Sequence, residues 1–163
     1  MPKDSHSHFA TAVCWPEGGV LLRGGSGSGK SDLALRLIRT QGACLVADDR
    51  VNLSSDGDQI YMSCPEAITG LIEIRGLGLF KFPYEAKAAL RLIVDVVPNQ
   101  DMPRLPEPAY EVIEGQQFPK LCLSAFEASA AERVALAFTT IGLNGFPEDA
   151  IFDLASLSER KQT

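Results

Sequence analysis

A glycine- and serine-rich run that ends in a lysine is the segment of this chain whose residue types and spacing could do chemistry. Residues 24–31 have the sequence GGSGSGKS, which matches the pattern GxxxxGK[ST]. Glycines let consecutive backbone N–H groups turn inward around phosphate oxygens, which bulkier side chains would obstruct. Lys30 can reach the β- and γ-phosphates, and the Ser31 hydroxyl can ligate Mg²⁺. The segment therefore predicts a phosphate-binding loop for a nucleoside triphosphate, with ATP and Mg²⁺ as the expected cofactors.

The sequence around this loop supports the same prediction. An apolar segment typical of a strand precedes it, and an amphipathic helix is expected to follow, so that the positive end of the helix faces the anion. A chance match to the pattern in a chain of this size is expected at about 1% or less from average residue usage. The expected nucleotide-binding residues are Gly24, Gly25, Ser26, Gly27, Ser28, Gly29, Lys30 and Ser31.

Two neighbouring carboxylates form the second candidate group. Asp48 and Asp49 directly follow a short apolar segment, residues 44–47, which is predicted to be a buried strand. Ligands collect at the carboxyl ends of strands in open α/β sheets. A kinase needs an acid that holds the metal and a group that accepts the proton of the acceptor hydroxyl, and the pair could divide these roles. The alternative is an exposed turn at a strand end, and the sequence leaves open which acid is the base.

The third candidate group is an acid and a base among aliphatic residues. Glu73 and Arg75 are two positions apart, so on an extended segment they share one face. Gly76 and Gly78 follow them and predict a turn with close backbone approach to another group. The alternative interpretation is a surface strand that carries an intrastrand ion pair.

The elements that must position these residues suggest an α/β domain, a mixed sheet with few helices whose phosphate loop lies between a strand and the first long helix. The sequence predicts strands at residues 9–15, 19–23, 44–47, 50–54, 59–63, 89–97 and 121–124, and helices at 31–40, 130–141 and 147–161. A hairpin turn is expected at residues 56–58 and an irregular, exposed stretch at 98–108. The predicted organisation is a catalytic domain over residues 1–145 and a C-terminal helical tail over 146–163, with Gly145 as the hinge.

Composition restricts the class of protein. The chain has 163 residues, 45% of them hydrophobic, and a net charge of −6, which argues against nucleic acid or an anionic membrane as a partner. No apolar stretch reaches the ~18 residues of a membrane span, and the first residues lack the apolar core of a signal peptide, so a cytoplasmic protein is expected. The four cysteines, Cys14, Cys44, Cys64 and Cys122, are widely spaced and are expected to be reduced core residues.

Taken in order, residues 24–31, 46–51 and 73–80 resemble the three signature segments of the HPr kinase/phosphorylase catalytic domain. The resemblance covers about residues 8–142 and implies the fold of that C-terminal domain. It also implies a protein kinase that phosphorylates a serine of the phosphocarrier protein HPr in a phosphotransferase system, with a reverse dephosphorylation. A homo-oligomer, a hexamer in the family, is implied as well.

The resemblance implies roles for single residues. Lys30 and Ser31 match the phosphate-binding lysine and the magnesium-binding serine, and Glu73 matches a second metal ligand. Asp48 or Asp49 matches the acid that takes the proton of the serine. His8 stands close to the place of a family histidine, and Arg104 is the best match for a family arginine further along the chain. The implied catalytic residues are thus His8, Lys30, Asp48, Asp49 and Arg104.

Three departures from the family pattern qualify these expectations. Gly25 stands where the family carries an acid, and residues 123–128 lack the arginine and proline of a loop linked to the phosphorylase reaction. The chain also matches a short form without the N-terminal regulatory domain of longer members. The forward reaction is therefore expected and the reverse one is doubtful. The alternatives are a small-molecule kinase with the same phosphate loop and a non-catalytic sensor that binds ATP.

Overall fold

A strongly bent mixed sheet positions the residues of interest in residues 6–155, the part of the chain that this computed structural model describes. Its strands are β1 (His6–Trp15), β2 (Gly18–Arg23), β3 (Cys44–Ala47), β4 (Arg50–Asp56), β5 (Gln59–Ser63), β6 (Leu71–Ile74), β7 (Gly78–Lys81), β8 (Lys87–Val96), β9 (Tyr110–Ile113) and β10 (Gln116–Leu123). The helices are α1 (Lys30–Thr40) and α2 (Ala130–Ala137), and α2 continues into a π-helical turn, Phe138–Gly142. Two 3₁₀ turns span Glu66–Ile68 and Asn99–Asp101.

The strand order explains the bend. The main sheet runs β2-β1-β4-β5-β8-β10-β9, with β3 beside β1, and β2 also pairs with β8, so the path closes on itself. The long strands β1 and β8 each pair at their beginning with the β4–β5 hairpin and further along with β2. Pairing of β2 with β8 and of β8 with β10 is parallel, and the other pairings in this sheet are antiparallel. β6 and β7 form a separate ribbon. The predicted mixed α/β sheet with few helices is confirmed.

The core lies on both faces of this sheet because side chains alternate along its strands. One face packs against α1 and α2, where Leu33 and Leu37 of α1 are fully buried and Trp15 stacks on Phe138 with ring centroids 4.6 Å apart. The other face fills the inside of the bend with residues such as Leu21 and Ile93. The helical spacing predicted for α1 is thus confirmed, and α1 ends where Gly42 takes a left-handed conformation (φ 70°).

Several predicted elements differ from the structure in their length. The strand expected at 121–124 begins earlier, at Gln116, and forms a hairpin with β9, which the sequence interpretation missed. Glu114 and Gly115 both have positive φ and form the turn between these strands. The helix expected at 130–141 is α-helical only to Ala137. The hairpin predicted at residues 56–58 is confirmed by the β4–β5 pairing.

The predicted helix at residues 147–161 is wrong over 147–155, which form turns and irregular backbone; residues 156–161 lie outside the described part. Ala150 has a φ of 59°, which interrupts a right-handed helix. Ile151 and Leu154 are 68% and 51% exposed, so their apolar side chains meet no core surface there. A short helix without such packing is marginal in water, and amphipathic spacing alone did not suffice.

Two further expectations bear on the protein's environment. The four cysteines are free thiols, and Cys14 is buried whereas the other three are partly exposed. Burial raises the pKa of the Cys14 thiol to about 12. Within residues 6–155 there is no helix with the length and apolar character needed to cross a membrane.

Candidate active site

The phosphate loop, the strand ends beside it and the β6–β7 ribbon surround one open cavity of about 660 Å³. Members of all three candidate groups of the sequence analysis line it, among them Lys30, Ser31, Asp48, Asp49, Glu73 and Arg75. The cavity lies at the carboxyl ends of β2 and β3, where the sequence predicted a ligand site. The fold therefore brings together the three candidate groups of the sequence analysis.

The loop itself has the conformation that its glycines permit. Gly27 and Gly29 have φ angles of 80° and 95°, in the left-handed region that favours glycine. The N–H of Ser28 donates to the carbonyl of Gly25 over 3.1 Å and closes a turn that contains Gly27. A Cβ at Gly25 or Gly27 would meet no atom within 4 Å, so this side of the loop faces open space. The loop thus offers backbone N–H groups and the start of α1 to an anion, as phosphate binding requires.

Lys30 is held in the centre of this loop. Its ammonium donates to the carbonyl oxygens of Gly24 and Gly25 over 2.6 and 3.1 Å, and the ring of Phe9 lies 4.7 Å away. The residue is only 7% exposed, and burial lowers the pKa of Lys30, while Asp48 and Asp49 oppose that shift. An ammonium has three N–H donors, so one remains for a phosphate oxygen.

Asp48 is fixed by two hydroxyl groups. Its Oδ1 accepts hydrogen bonds from Thr11 Oγ1 over 2.9 Å and from Ser31 Oγ over 2.7 Å, and the side chain is buried. A serine at the start of the loop helix and an acid at a strand end are the pair that holds Mg²⁺ in P-loop enzymes. Residues 6–155 contain no group of three or more acidic, histidine or cysteine side chains placed to hold a metal by themselves. Hard oxygen ligands and few protein groups fit Mg²⁺, which keeps waters and phosphate oxygens as ligands.

Asp49 differs from its neighbour although it is adjacent in sequence. It has a φ of 68°, and its exposed carboxylate lines the cavity with no hydrogen bond or ion pair to the described residues. The N–H of Arg50 donates to the carbonyl of Asp48 over 2.8 Å and closes the turn that sets Asp49 in this conformation. Aspartate tolerates the left-handed region better than most residues. One carboxylate is thus committed to the loop, and the other is available to a ligand.

Glu73 and Arg75 reach the cavity from the β6–β7 ribbon. Both line it, but β6 ends at Ile74, so Arg75 lies in the turn and not on the strand face that the sequence analysis expected. Gly76 and Gly78 have φ angles of 89° and 132° and connect the two strands, which confirms the glycine turn. A Cβ at either glycine would meet nothing within 4 Å. Within the described residues the role of the two glycines is therefore conformational, and the predicted close approach to another group stays a prediction.

Two of the predicted catalytic residues do not line the cavity. Phe9 and Thr11 face it from β1, and His8 points to the opposite face because side chains alternate along a strand. There the pKa of His8 is lowered, first by burial and then by His6 and Arg23. Arg104 is exposed in the irregular stretch before β9 and does not contribute to the lining.

Sequence reasoning missed three residues that shape the cavity. Thr11 is fully buried and positions Asp48, Phe9 covers Lys30, and Phe126 lines the cavity from the loop between β10 and α2. A threonine two positions from an aromatic residue on a strand gives no catalytic signal by itself. Phe126 lies in the stretch 123–128, where the sequence departs from the family pattern, and this departure was the available signal.

Comparison with known proteins agrees with the geometry. The model of the family described as "HPr Serine kinase C-terminal domain" matches residues 4–88, which include the phosphate loop, both acids and Glu73. The match ends before β9 and the loop that carries Phe126.

Individual relatives are named HPr kinase/phosphorylase. The HPr kinase/phosphorylase of Leptothrix cholodnii is 40% identical over 119 residues, which are 65% of this chain and 36% of that protein. The HPr kinase/phosphorylase of Exiguobacterium sp. is 50% identical over 62 residues, 37% of this chain and 20% of the relative. The chain therefore spans about a third or less of the length of these relatives.

A solved structure has a similar fold. The structure of the Hpr(Ser) kinase/phosphatase from Coxiella burnetii matches with a TM-score of 0.70 at 28% sequence identity. The match covers 80% of this chain and 87% of the other.

Proposed function

The chain belongs to the HPr serine kinase C-terminal domain family, and from that premise we propose that it is an ATP- and Mg²⁺-dependent kinase whose acceptor is a serine of the phosphocarrier protein HPr. The observation that carries the proposal is the 2.7 Å hydrogen bond between Ser31 and Asp48 in the same cavity as Lys30, Asp49 and Glu73. These are the parts that phosphoryl transfer needs: a phosphate cradle, a metal-holding pair and a further acid.

The residues divide the work according to their contacts. Ser31, Asp48 and Glu73 would hold the metal, because each offers a hard oxygen to the cavity. The bound Mg²⁺ would neutralise charge on the phosphate oxygens. Lys30 would donate its remaining N–H to the transferred phosphoryl group, with its other donors held by loop carbonyls. A fixed ammonium needs no reorganisation when charge shifts during the transfer.

Asp49 is the better candidate for the base. Asp48 is buried and already accepts two hydrogen bonds, whereas the carboxylate of Asp49 is exposed at the cavity. Asp49 would take the proton from the hydroxyl group of the acceptor serine. The serine oxygen would bond to the γ-phosphorus, and the bond between the γ-phosphorus and the leaving ADP oxygen would break. In this proposal Asp49 is the base and Asp48 a metal ligand, an assignment that the sequence left open.

The reverse reaction is expected to be weak. It needs inorganic phosphate held in line with the phosphoserine, for which arginine is suited because it binds phosphate with two hydrogen bonds. The loop 124–129 lies against Gly29 but presents Phe126 and Glu127 instead of a cation. Release of HPr and pyrophosphate from phospho-HPr with millimolar phosphate measures this step, and a rate equal to that of the forward reaction would contradict the expectation.

One assay separates the candidate functions. Purified protein is incubated with labelled ATP, Mg²⁺ and HPr, and phosphoserine on HPr is measured by mass spectrometry, with HPr carrying alanine at the acceptor serine as the control. Phosphorylation of a metabolite but not of HPr would favour a small-molecule kinase, and tight ATP binding without any transfer would favour a sensor. We place the activity in the cytoplasm, where ATP is available, and light scattering tests the hexamer that the family resemblance implies.

A further inference from the structure

An exposed aromatic ring at the edge of the cavity has no role in the reaction described so far. Phe126 is 70% exposed, although it lines the cavity beside the phosphate loop. No other aromatic ring or cation contacts its ring within residues 6–155. A large apolar side chain with this exposure leaves its face available to a ligand.

The backbone that carries this ring is held firmly. Arg36 of α1 donates to the carbonyls on both sides of Phe126, those of Ala125 and, over 3.1 Å, Glu127. The N–H of Phe126 donates to Ser124 Oγ over 3.3 Å, and Ser124 and Ala125 are each only 1% exposed. The exposure of the ring is therefore a fixed feature of the loop and does not reflect a loose segment.

The loop also packs directly on the phosphate cradle. A Cβ added to Gly29 would lie 2.8 Å from the Cβ of Ala125 and 3.4 Å from two ring atoms of Phe126. The ring is thus next to the residue that precedes Lys30 and the first turn of α1. A ligand bound by the phosphate loop would lie in the same cavity as this ring.

The ring and the acids lie on opposite sides of the loop. In the sheet, β3, which leads to Asp48 and Asp49, is separated from β2 by β1, and β10, which leads to Phe126, is separated from β2 by β8. The bond between Ser31 and Asp48 assigns the β3 side to the metal and the transferred phosphate. The nucleoside end of the nucleotide is left for the β10 side.

Phe9, the other exposed aromatic residue of the cavity, does not fit the same role. Its ring faces Lys30 at 4.7 Å and Arg50 at 5.7 Å, so cations already lie against it. It stands on β1, the side of the acids. Phe126 is therefore the ring that a heterocycle can stack on without displacing a charge.

We propose that Phe126 is the stacking platform for the base of the nucleoside triphosphate bound at this loop. The inference rests on the proposed function only for nucleotide binding at residues 24–31, and does not require that HPr is the acceptor. Aromatic stacking recognises the π-face that every base has. The affinities for different purine nucleotides should therefore depend on Phe126 to the same extent, and the affinity for a polyphosphate without a base should not depend on it.

Equilibrium binding of ATP, GTP and inorganic tripolyphosphate to the full chain, each with Mg²⁺, tests the platform by calorimetry. Phe126→Ala should lower the affinity for ATP and for GTP by roughly tenfold. Phe126→Tyr keeps an aromatic ring, so its affinity should stay within about twofold of that of the wild type. Phe126→Leu keeps an apolar side chain but removes the ring, and should resemble Phe126→Ala. Tripolyphosphate affinity should be the same in all four proteins. Leu136→Ala, at a 51% exposed position of α2 outside the cavity lining, is the control and should leave all three ligands unaffected.

Each failure has its own meaning. Equal weakening of ATP and tripolyphosphate, or no weakening of ATP, would overturn the platform. So would a Phe126→Leu variant that binds ATP like the wild type. If the wild type binds tripolyphosphate as tightly as ATP, the base has no subsite here, although the phosphate loop stands. If the wild type binds neither, the proposed nucleotide site itself fails, together with this inference. If Phe126→Ala loses ATP affinity as expected but the wild type does not phosphorylate HPr, the platform is supported and only the proposed acceptor is contradicted.

Discussion

Two charged clusters lie at the same end of the sheet, on opposite faces, and they use their charges differently. On the face away from α1, Arg23 binds Asp95 (Nε to Oδ1, 2.8 Å) and Glu111 (Nη1 to Oε2, 2.7 Å), each through two hydrogen bonds. Lys120 approaches Glu111 to 3.4 Å. These groups, the Arg23 cluster, satisfy one another across β2, β8, β9 and β10.

On the face toward α1, the cavity cluster of Lys30, Asp48, Asp49 and Glu73 leaves capacity unused. Lys30 donates only to backbone carbonyls, and no ion pair within residues 6–155 joins it to an acid. Acids and an ammonium held near one another without pairing can all turn to a ligand that brings its own charges. Charge satisfaction, more than charge itself, therefore separates the structural cluster from the candidate catalytic one.

The largest expected effect comes from Lys30→Ala. Phosphoryl transfer should fall by roughly 100-fold or more, because a preorganised charge on the transferred group is lost. Lys120→Ala removes a lysine of the Arg23 cluster and is the matched control, for which the transfer rate should stay close to that of the wild type. Turnover with HPr and circular dichroism on both variants check the effect and the fold. A folded Lys30→Ala protein with an unchanged turnover number would contradict the catalytic role proposed for the cavity cluster.

The phosphate loop offers a second contrast between two of its glycines. Gly29→Ala should weaken nucleotide binding by about tenfold and destabilise the protein by about 1–3 kcal/mol, because φ is 95° there and the added Cβ would lie 2.8 Å from Ala125. At Gly25 φ is not positive and an added Cβ would meet no described atom within 4 Å, so the free energy of unfolding of Gly25→Ala should change little. ATP affinity and urea unfolding of the pair provide the measurement. Equal losses of unfolding free energy in the two variants would contradict the described loop conformation.

Much of the cavity cluster could be predicted from sequence because its signals are local. The loop pattern, the acid pair after an apolar strand and the turn glycines each occupy fewer than ten consecutive residues. Thr11 and Phe126 could not be found in this way, since their roles depend on which strand lies beside β3 and where β10 ends. The same limit applies to His8: its distance from the loop in sequence suggested a catalytic place, but the alternation of β1 turns it toward the Arg23 face.

The Arg23 cluster could not be predicted either, because its contacts also join distant parts of the chain. Its partners are 72 and 88 positions away from Arg23 in sequence, and the hairpin β9–β10 that supplies Glu111 was predicted only in part. The alternation of buried and exposed side chains along a strand could be predicted from sequence, whereas the order in which the strands pair in the closed sheet could not. The tail failed for the opposite reason, since its helical spacing is local but no surface of the described domain covers Ile151 or Leu154.

A smaller effect is expected for Glu73→Gln. The amide keeps the shape of the side chain but loses its charge, so the Mg²⁺ concentration for half-maximal activity should rise roughly several-fold. ATP binding without metal should change less. Glu66→Gln, at an exposed acid outside the cavity lining, is the matched control. Superimposable Mg²⁺ titrations of wild type and Glu73→Gln would show that the ribbon carries a structural acid.

The smallest expected effect belongs to the satisfied cluster and appears in stability, not in transfer rate. Arg23→Met leaves Asp95 and Glu111 without their main partner, which should lower the free energy of unfolding by about 1–2 kcal/mol near neutral pH, a modest cost because the pair is partly solvated. Arg23 is also the first cause of a lowered Glu111 pKa in the folded protein, with Lys120 contributing less. A lowered folded pKa stabilises the protein above the ordinary glutamate pKa of about 4.3, and that contribution is lost as the pH falls through the folded value.

The difference between wild type and Arg23→Met should therefore be full at pH 6–7, well above the ordinary glutamate pKa of about 4.3, and should shrink below about pH 4. Urea unfolding across this range measures it, and Lys120→Met, which removes only the 3.4 Å contact, should show a smaller difference of the same sign. A difference that does not depend on pH would mean that Arg23 acts through the packing of its aliphatic stem and not through Glu111. A transfer rate that falls as far as in Lys30→Ala, with ATP affinity lost as well, would place Arg23 in the catalytic machinery and would erase the distinction between the two faces.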